Sequence, residues 1–105
     1  MPVLRGSVYL TDDADRALVV VSRNGRTGTA LVVELRSKVK LPGLGGLPAT
    51  VETDDDDPLV DGYILADYIS VTTQDELGAM DFVGELGPVT LARLNAALGV
   101  ALGII

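Results

Sequence analysis

The segment ELRSKVK holds three of the chain's eight basic residues, at Arg36, Lys38 and Lys40, although the whole chain carries a net charge of −7. An arginine guanidinium keeps its positive charge and can bind two phosphate oxygens side by side. A cationic cluster of this kind is suited to binding a polyanion. The alternative is an exposed strand end whose lysines prevent aggregation of neighbouring chains.

The charge is divided unevenly along the chain. Residues 1–40 carry a net charge of +3, whereas residues 41–105 carry −10. Such asymmetry indicates a side that faces a polyanion, or a polar protein interface. The alternative is ordinary surface charge that keeps the protein in solution, because surface charge alone is weak evidence of function.

The chain contains no histidine and no cysteine. Disulfide bonds, zinc bound by cysteine or histidine, and Ser-His-Asp or Cys-His catalysis are therefore excluded. An enzyme with this sequence must use Arg, Lys, Asp, Glu, Tyr, Ser or Thr. The acidic run at 54–57 lacks the spacing of a calcium-binding loop, so we predict a solvated loop there, and neither a metal nor a cofactor.

No apolar run approaches the ~20 residues that a membrane-spanning helix needs. The N-terminal segment MPVLRGSVYLTDDAD has an early arginine followed by acidic residues, unlike a signal peptide. We therefore expect a soluble, cytoplasmic protein that does not bind a membrane.

Apolar runs separated by turn-forming residues predict a series of short strands. The segment at 16–24 contains a continuous apolar run, which suits a strand buried on both faces. Asn24-Gly25 then marks a hairpin that joins strands 17–23 and 29–36. Further strands are predicted at 3–11, 49–53, 62–71 and 80–86.

Two helices are predicted in the C-terminal part of the chain. Thr73 and Glu76 have the spacing of a capping box, which predicts a short helix over 74–79. Pro88 occupies the first position of the last helix. The apolar face of that helix is predicted to consist of Leu91, Leu94, Leu98 and either Ala101 or Leu102.

The order of these elements predicts the fold class. Strands without regularly alternating helices favour a mostly antiparallel sheet on which the last helix packs. The chain has 105 residues, close to the usual size of one domain, and no linker divides it. We predict a single α+β domain over 1–105, a small antiparallel SH3-like β-barrel with a C-terminal helix packed on the sheet.

Five segments of the sequence resemble the MazF/PemK toxin family in their order and spacing. They are RGSVYL, RALVVVS, VVELRSK after the hairpin turn, DGYILADYISV, and GELGPVTLARLNAALGVALGI at the end. The resemblance covers roughly residues 4–104. It implies a fold of the MazF/PemK/CcdB type.

The resemblance also implies an activity. Members of this family are small homodimeric endoribonucleases, the toxins of toxin–antitoxin pairs, and an antitoxin blocks their RNA groove with an acidic tail. They cut single-stranded mRNA without a metal ion: the 2′-hydroxyl attacks the adjacent phosphate, which leaves a 2′,3′-cyclic phosphate and a 5′-hydroxyl. This chemistry needs a proton acceptor for the 2′-hydroxyl, a cation that offsets transition-state charge, and a proton donor for the leaving oxygen.

Matched residue by residue, the resemblance places catalysis at two strand ends. Arg16 lies where the family has its catalytic arginine; the alternative is a surface arginine paired with Asp13 or Asp15. Arg36 and Ser37 occupy the position of the family's Thr-Ser pair. Arg36 then either serves as a second phosphate-binding group or marks a site that no longer cuts RNA, while Ser37 keeps a hydroxyl.

The resemblance implies further RNA contacts. Asp67 matches the family's acidic residue after the apolar run, and Tyr68 stands where glutamine is usual. These two side chains would supply an acid/base pair or hydrogen bonds to a base, with Tyr68 stacking on a base, or else lie in a dimer interface or the core. The loop between the first two strands is shorter than in the family, which removes part of the RNA-binding wall. The predicted RNA-binding residues are Arg23, Lys38, Lys40, Asp67 and Tyr68.

Three functions fit this scaffold. We predict a ribonuclease toxin centred on Arg16, with single-stranded RNA and an antitoxin as partners. The second is a degenerate toxin homologue that binds an antitoxin or another protein without cutting RNA, which the replaced threonine and the shorter loop favour. The third is a gyrase-poisoning relative, which would act through a C-terminal tryptophan that this chain lacks.

Overall fold

The computed structural model describes residues 4–12, 16–22, 28–37, 49–59 and 61–103. The strands are β1 Ser7–Leu10, β2 Arg16–Val20, β3 Thr29–Ser37, β4 Thr50–Glu52, β5 Gly62–Thr73 and β6 Asp81–Glu85. The helices are α1 Gln74–Gly78, between β5 and β6, and α2 Pro88–Ala101, after β6. The elements follow one another in the predicted order, and β1 is shorter than predicted.

The described strands form one antiparallel sheet in the order β4-β5-β3-β2-β1-β6. The antiparallel α+β class and the C-terminal helix are confirmed. The sheet is open rather than closed into the predicted barrel, because β4 and β6 lie at its two edges with no ladder between them in the described ranges. Closing a sheet into a barrel would require its two edge strands to pair with each other.

Strand β5 is long, at 12 residues, and contains a bulge. Leu65 pairs with Glu34 and Ile69 pairs with Val33, so the three residues 66–68 have no counterpart on β3. A bulge bends its strand and increases the local twist. The part of β5 before the bulge also pairs with β4 along its other edge.

Each face of the sheet carries an apolar cluster and a helix. On the face covered by α2, here the α2 face, the buried strand residues include Val8, Ala17, Val19, Val33, Leu35 and Ile64. On the opposite face, here the α1 face, the buried residues are Leu18, Val20, Ala30, Val32 and Leu77. Because β2 contributes to both clusters, the prediction of a strand buried on both faces is confirmed.

Helix α2 packs on the sheet through one apolar stripe. Its inward residues are Leu91, Leu94, Ala97, Leu98 and Ala101. Leu102 is the C-terminal cap and is 60% exposed. The predicted face is therefore confirmed with Ala101, not Leu102, as its last member.

The acidic loop at 54–57, before β5, is not solvated throughout, contrary to the prediction from the sequence. Asp55 and Asp56 are exposed, as a solvated loop requires, but Asp57 is only 7% exposed. Its carboxylate accepts hydrogen bonds from the Thr90 hydroxyl at 2.6 Å and from the Gly87 backbone N–H at 2.8 Å. Gly87 is the N-cap of α2 and makes no side-chain cap hydrogen bond. Asp57 instead binds the N–H of Gly87 itself, and its negative charge lies at the N-terminal end of the helix.

Helix α1 begins where the capping-box spacing predicts it. The Thr73 hydroxyl accepts a hydrogen bond from the Glu76 backbone N–H at 3.0 Å. The Glu76 carboxylate accepts one in turn from the hydroxyl of Thr72 at 2.8 Å. These contacts fix the start of the helix, and Leu77 then becomes fully buried on the α1 face.

Candidate active site

Strand pairing brings two predicted site residues side by side. Arg16 begins β2, and Arg36 lies near the end of β3 directly opposite it in the antiparallel register. Alternation along each strand places both on the α1 face, in line with the buried Leu18 and Val32. Facing residues of antiparallel strands have their Cβ atoms about 5 Å apart. The hairpin therefore builds a cationic pair out of residues that are distant in sequence.

Glu34 lies between the two guanidinium groups. Its Oε1 is 2.8 Å from Nε of Arg16, and its Oε2 is 3.9 Å from a terminal nitrogen of Arg36. The Arg16 N–H is not directed at the carboxylate, so the short contact is an ion pair rather than a hydrogen bond. One carboxylate facing two guanidinium groups leaves the cluster with a net positive charge, which suits an anion.

The three charged side chains of this cluster are partly accessible. The side chains of Arg16, Arg36 and Glu34 are 38%, 29% and 21% exposed. The Nε atoms of both arginines are buried and make no hydrogen bond within the described part of the chain. Solvent therefore reaches the ends of the side chains while their stems are held against the sheet.

An open groove adjoins Arg16 on the α1 face. Its volume is about 540 Å³, within the range of pockets that hold small ligands. The lining combines side chains of the sheet with those of the loop after β1 and of the α1 region. It consists of Thr11, Asp12, Arg16, Leu18, Val32, Ser70, Val71, Thr72, Glu76, Ala79 and Met80. Arg16 supplies the positive charge of this lining, and Asp12 and Glu76 supply negative charge.

Ser37 lies on the other face of β3 from Arg36. Neighbouring residues on a strand point to opposite faces. Leu35, two residues before Ser37, is buried in the cluster on the α2 face. Ser37 pairs with Gly62 of β5 in the register. The fold therefore does not bring this residue to the cationic pair, and its catalytic role stays a prediction.

Asp67 and Tyr68 lie in the β5 bulge. Both are exposed, and Tyr68 is 58% exposed, so neither is a core residue. The apolar residues before them, at 64–66, are buried. Neither side chain lines the groove beside Arg16. Their contact with RNA stays a prediction, as does the alternative of a dimer interface.

Some predicted residues lie outside the described ranges. They are Arg23, Lys38 and Lys40 among the RNA-binding candidates, and Asp13 and Asp15 as alternative partners of Arg16. The ion pair found for Arg16 is with Glu34, which was not predicted as a site residue. A signal for it exists in the sequence: Glu34 precedes Arg36 by two positions, and such residues share one face of a strand.

No group of three or more acidic residues is arranged to hold a metal ion within the described ranges. None of the described helices has the length and apolar character needed to cross a bilayer.

Several known proteins are similar to this chain, although no family model matches it. Endoribonuclease MazF1 of Mycobacterium bovis is 38% identical over 104 residues, which cover 96% of this chain and 93% of that protein. A solved endoribonuclease from a Mycobacterial species has a TM-score of 0.81 at 36% identity, covering 98% of this chain and 93% of the other. A solved Mycobacterial endoribonuclease in complex with its cognate antitoxin has a TM-score of 0.80 at 34% identity, and the match covers 98% of this chain and 97% of the other. The similarity thus extends over nearly the whole chain.

Proposed function

The chain belongs to the MazF family of endoribonucleases, and from that premise we propose that it is a toxin that cuts single-stranded mRNA without a metal ion. In the reaction, a ribose 2′-hydroxyl attacks the adjacent phosphate. The bond between phosphorus and the 5′ oxygen of the next nucleotide breaks. The products carry a 2′,3′-cyclic phosphate and a 5′-hydroxyl.

The pairing of Arg16 with Arg36 is the observation that supports this proposal. The attack on phosphorus increases the negative charge on the non-bridging oxygens. Two guanidinium groups held on adjacent strands can bind those oxygens together, and arginine suits this role because its donors match phosphate geometry. Because the strands hold them before RNA arrives, little reorganisation is needed during the reaction.

The groove beside Arg16 would hold the nucleotide next to the cut. Its apolar lining includes the accessible side chains of Val71 and Met80, which can contact a base, and its polar lining includes the exposed Ser70, whose hydroxyl can donate a hydrogen bond. We propose that the predicted contacts from Asp67 and Tyr68 in the bulge extend this surface toward neighbouring nucleotides.

We further propose that an antitoxin with an acidic tail is the partner that inhibits the site. One similar structure is an endoribonuclease in complex with its cognate antitoxin. Carboxylates of such a tail would compete with Glu34 for Arg16 and Arg36 through charge-assisted hydrogen bonds. Inhibition and RNA binding would then use the same cations and exclude each other.

A homodimer is proposed as the functional form, acting in the cytoplasm on mRNA. The described surface includes exposed apolar side chains that an interface between two copies could cover. Tyr68 and Val71 on β5, Phe82 on β6, and Val89 and Val100 on α2 are all more than 40% exposed. These exposed apolar side chains support an interface between two copies.

Incubating the purified protein with a long single-stranded RNA in the presence of EDTA tests the proposed function. We expect discrete cuts, and we expect fragments whose 5′ ends accept phosphate from a polynucleotide kinase without prior phosphatase treatment. A 2′-deoxy nucleotide at a mapped cut site should abolish cleavage there, because no 2′-hydroxyl remains to attack.

Intact RNA from a folded protein, over a range of salt and pH, would contradict the proposed function. The second candidate, a binding module that no longer cuts RNA, would then take its place. Its supporting observation is that Arg36 stands where the family has a catalytic hydroxyl residue and is ion-paired with Glu34. Binding of an acidic-tailed antitoxin without RNA cleavage would be its expected behaviour.

Replacing Ser37 by alanine tests the hydroxyl that the resemblance assigns to catalysis. We expect the cleavage rate to change by less than about threefold, because strand alternation puts Ser37 on the face opposite Arg36. The rate is measured on the same RNA beside the unmodified protein. A loss of a hundredfold or more, in a variant with an unchanged thermal unfolding curve, would instead support the catalytic role.

A further inference from the structure

We propose that Glu34 is the general base of this site, the group that takes the proton from the attacking 2′-hydroxyl. The inference rests on the proposed ribonuclease function and deepens it by naming the proton acceptor. It comes from the position of Glu34, which contacts both members of the cationic pair.

The proton acceptor must be a group that can bind a proton at neutral pH. Arginine cannot serve, because a guanidinium is not deprotonated in proteins. Ser37 lies on the opposite face of β3, and its neutral hydroxyl is a weak proton acceptor. Glutamate carboxylates are ordinarily ionised near neutral pH and have the free electron pairs that the role requires.

Glu34 lies beside both of the groups proposed to hold the phosphate. A general base has to reach the 2′-hydroxyl by a hydrogen bond while the cations hold the adjacent phosphate. The oxygens of Glu34 are 2.8 Å and 3.9 Å from nitrogens of Arg16 and Arg36. A phosphate bound by the accessible ends of these guanidinium groups would lie next to the same carboxylate, and the 2′-hydroxyl of its ribose would then be its neighbour. The partial exposure of Glu34, 21% of its side chain, leaves room for that contact.

Other charged and titratable groups face this position from the neighbouring elements. Arg16 faces it from β2 and Arg36 flanks it on β3, while Tyr63 lies beside Arg36 on β5. Asp12 and Glu76 line the adjoining groove. Glu76 already accepts a hydrogen bond from Thr72. Of these carboxylates, Glu34 is the one that contacts both arginines of the pair.

The step balances without any further reactant except water. The carboxylate of Glu34 accepts the proton of the 2′-hydroxyl, and the oxygen's electron pair forms the new bond to phosphorus. The bond from phosphorus to the 5′ oxygen breaks, and that oxygen takes a proton from water. Glu34 then returns its proton to solvent, which restores the ionised carboxylate.

Glu34→Gln tests the inference, because the amide keeps the size of the side chain but cannot accept the proton. We expect cleavage of the mapped RNA site to fall by about 10²-fold or more. The decline of the wild-type rate at acidic pH, which reports protonation of the base, should be absent in this variant. Glu34→Asp keeps a carboxylate and should retain the acidic decline at a reduced rate.

Controls separate a base from a group that only orients the arginines. Glu85→Gln makes the same chemical change at an exposed position on edge strand β6, and its cleavage rate should match the wild type. Binding is measured with an oligonucleotide that carries a 2′-deoxy nucleotide at the cut site. Glu34→Gln should bind it at least as tightly as the wild type, because a negative charge near the phosphate has been removed.

Three results would overturn the assignment of Glu34. In the first, Glu34→Gln cleaves RNA at a rate within threefold of the wild type. In the second, Glu34→Gln loses RNA binding and RNA cleavage in parallel. In the third, the decline of the cleavage rate at acidic pH disappears in Asp12→Asn and not in Glu34→Gln. Each of these leaves the ribonuclease function intact because the wild type still cuts. Wild-type protein that leaves RNA uncut would overturn the proposed function and this inference together.

Discussion

Replacing Arg16 by alanine is expected to lower the rate of RNA cleavage by about 10²–10³-fold, the usual effect of removing one group that stabilises transition-state charge. Arg16 is the cation of the groove lining and lies opposite Arg36 across the two strands. Its removal leaves one guanidinium and a facing carboxylate, so the net positive charge of the cluster is lost. The measurement is the initial rate of cleavage at a mapped site, with EDTA present.

The controls for Arg16 separate charge, geometry and folding. Arg16→Lys keeps the charge but loses the paired hydrogen bonds to phosphate, and its rate should lie between those of the wild type and Arg16→Ala. Arg93→Ala removes an exposed arginine from α2, the helix that covers the opposite face, and should cut RNA at the wild-type rate. Folding should persist in Arg16→Ala, because a partly exposed ion pair adds little stability.

Arg36→Ala decides what the second arginine contributes. A loss of rate similar to that of Arg16→Ala would identify Arg36 as the group that stands in for the family's hydroxyl residue. An unchanged rate would restrict phosphate binding to Arg16. Wild-type cleavage by both alanine variants would contradict the proposed role of the cationic pair.

Replacing Asp57 by alanine is expected to have the largest effect on stability, lowering the free energy of unfolding by about 3 kcal/mol. The buried carboxylate accepts hydrogen bonds from the backbone N–H groups of Asp54 and Gly87 and from the Thr90 hydroxyl. Alanine would leave these donors without their acceptor and would remove a negative charge from the N-terminus of α2. Urea or thermal unfolding followed by circular dichroism measures the change.

Asp55 provides the matched control for Asp57. It lies two positions earlier in the same loop but is exposed, so Asp55→Ala should change stability by less than about 0.5 kcal/mol. For Asp57→Ala the expected decrease in melting temperature is roughly 12–24 °C. Equal melting temperatures for Asp57→Ala and wild type would show that these hydrogen bonds do not stabilise the start of α2.

Arg16 and Asp57 differ in how much of their role could be predicted from the sequence. Arg16 was identified through a family motif, and its strand follows from a continuous apolar run. Asp57 was predicted to be solvated along with its acidic neighbours, because composition describes the run as a whole. Its actual partners at Gly87 and Thr90 lie 30 and 33 residues further along the chain.

The order of strands and helices, the antiparallel pairing of β2 with β3, the starts of both helices and the family could all be predicted from the sequence. These features depend on signals carried by neighbouring residues: apolar periodicity, capping residues, proline at a helix start, and ordered short motifs. Long-range contacts were needed to show that Glu34 faces two arginines, that Ser37 faces away, that the sheet stays open and that one aspartate of four binds the start of a helix. Strand register and loop path fix those contacts, and a shift of one residue in register would reverse which side chains meet.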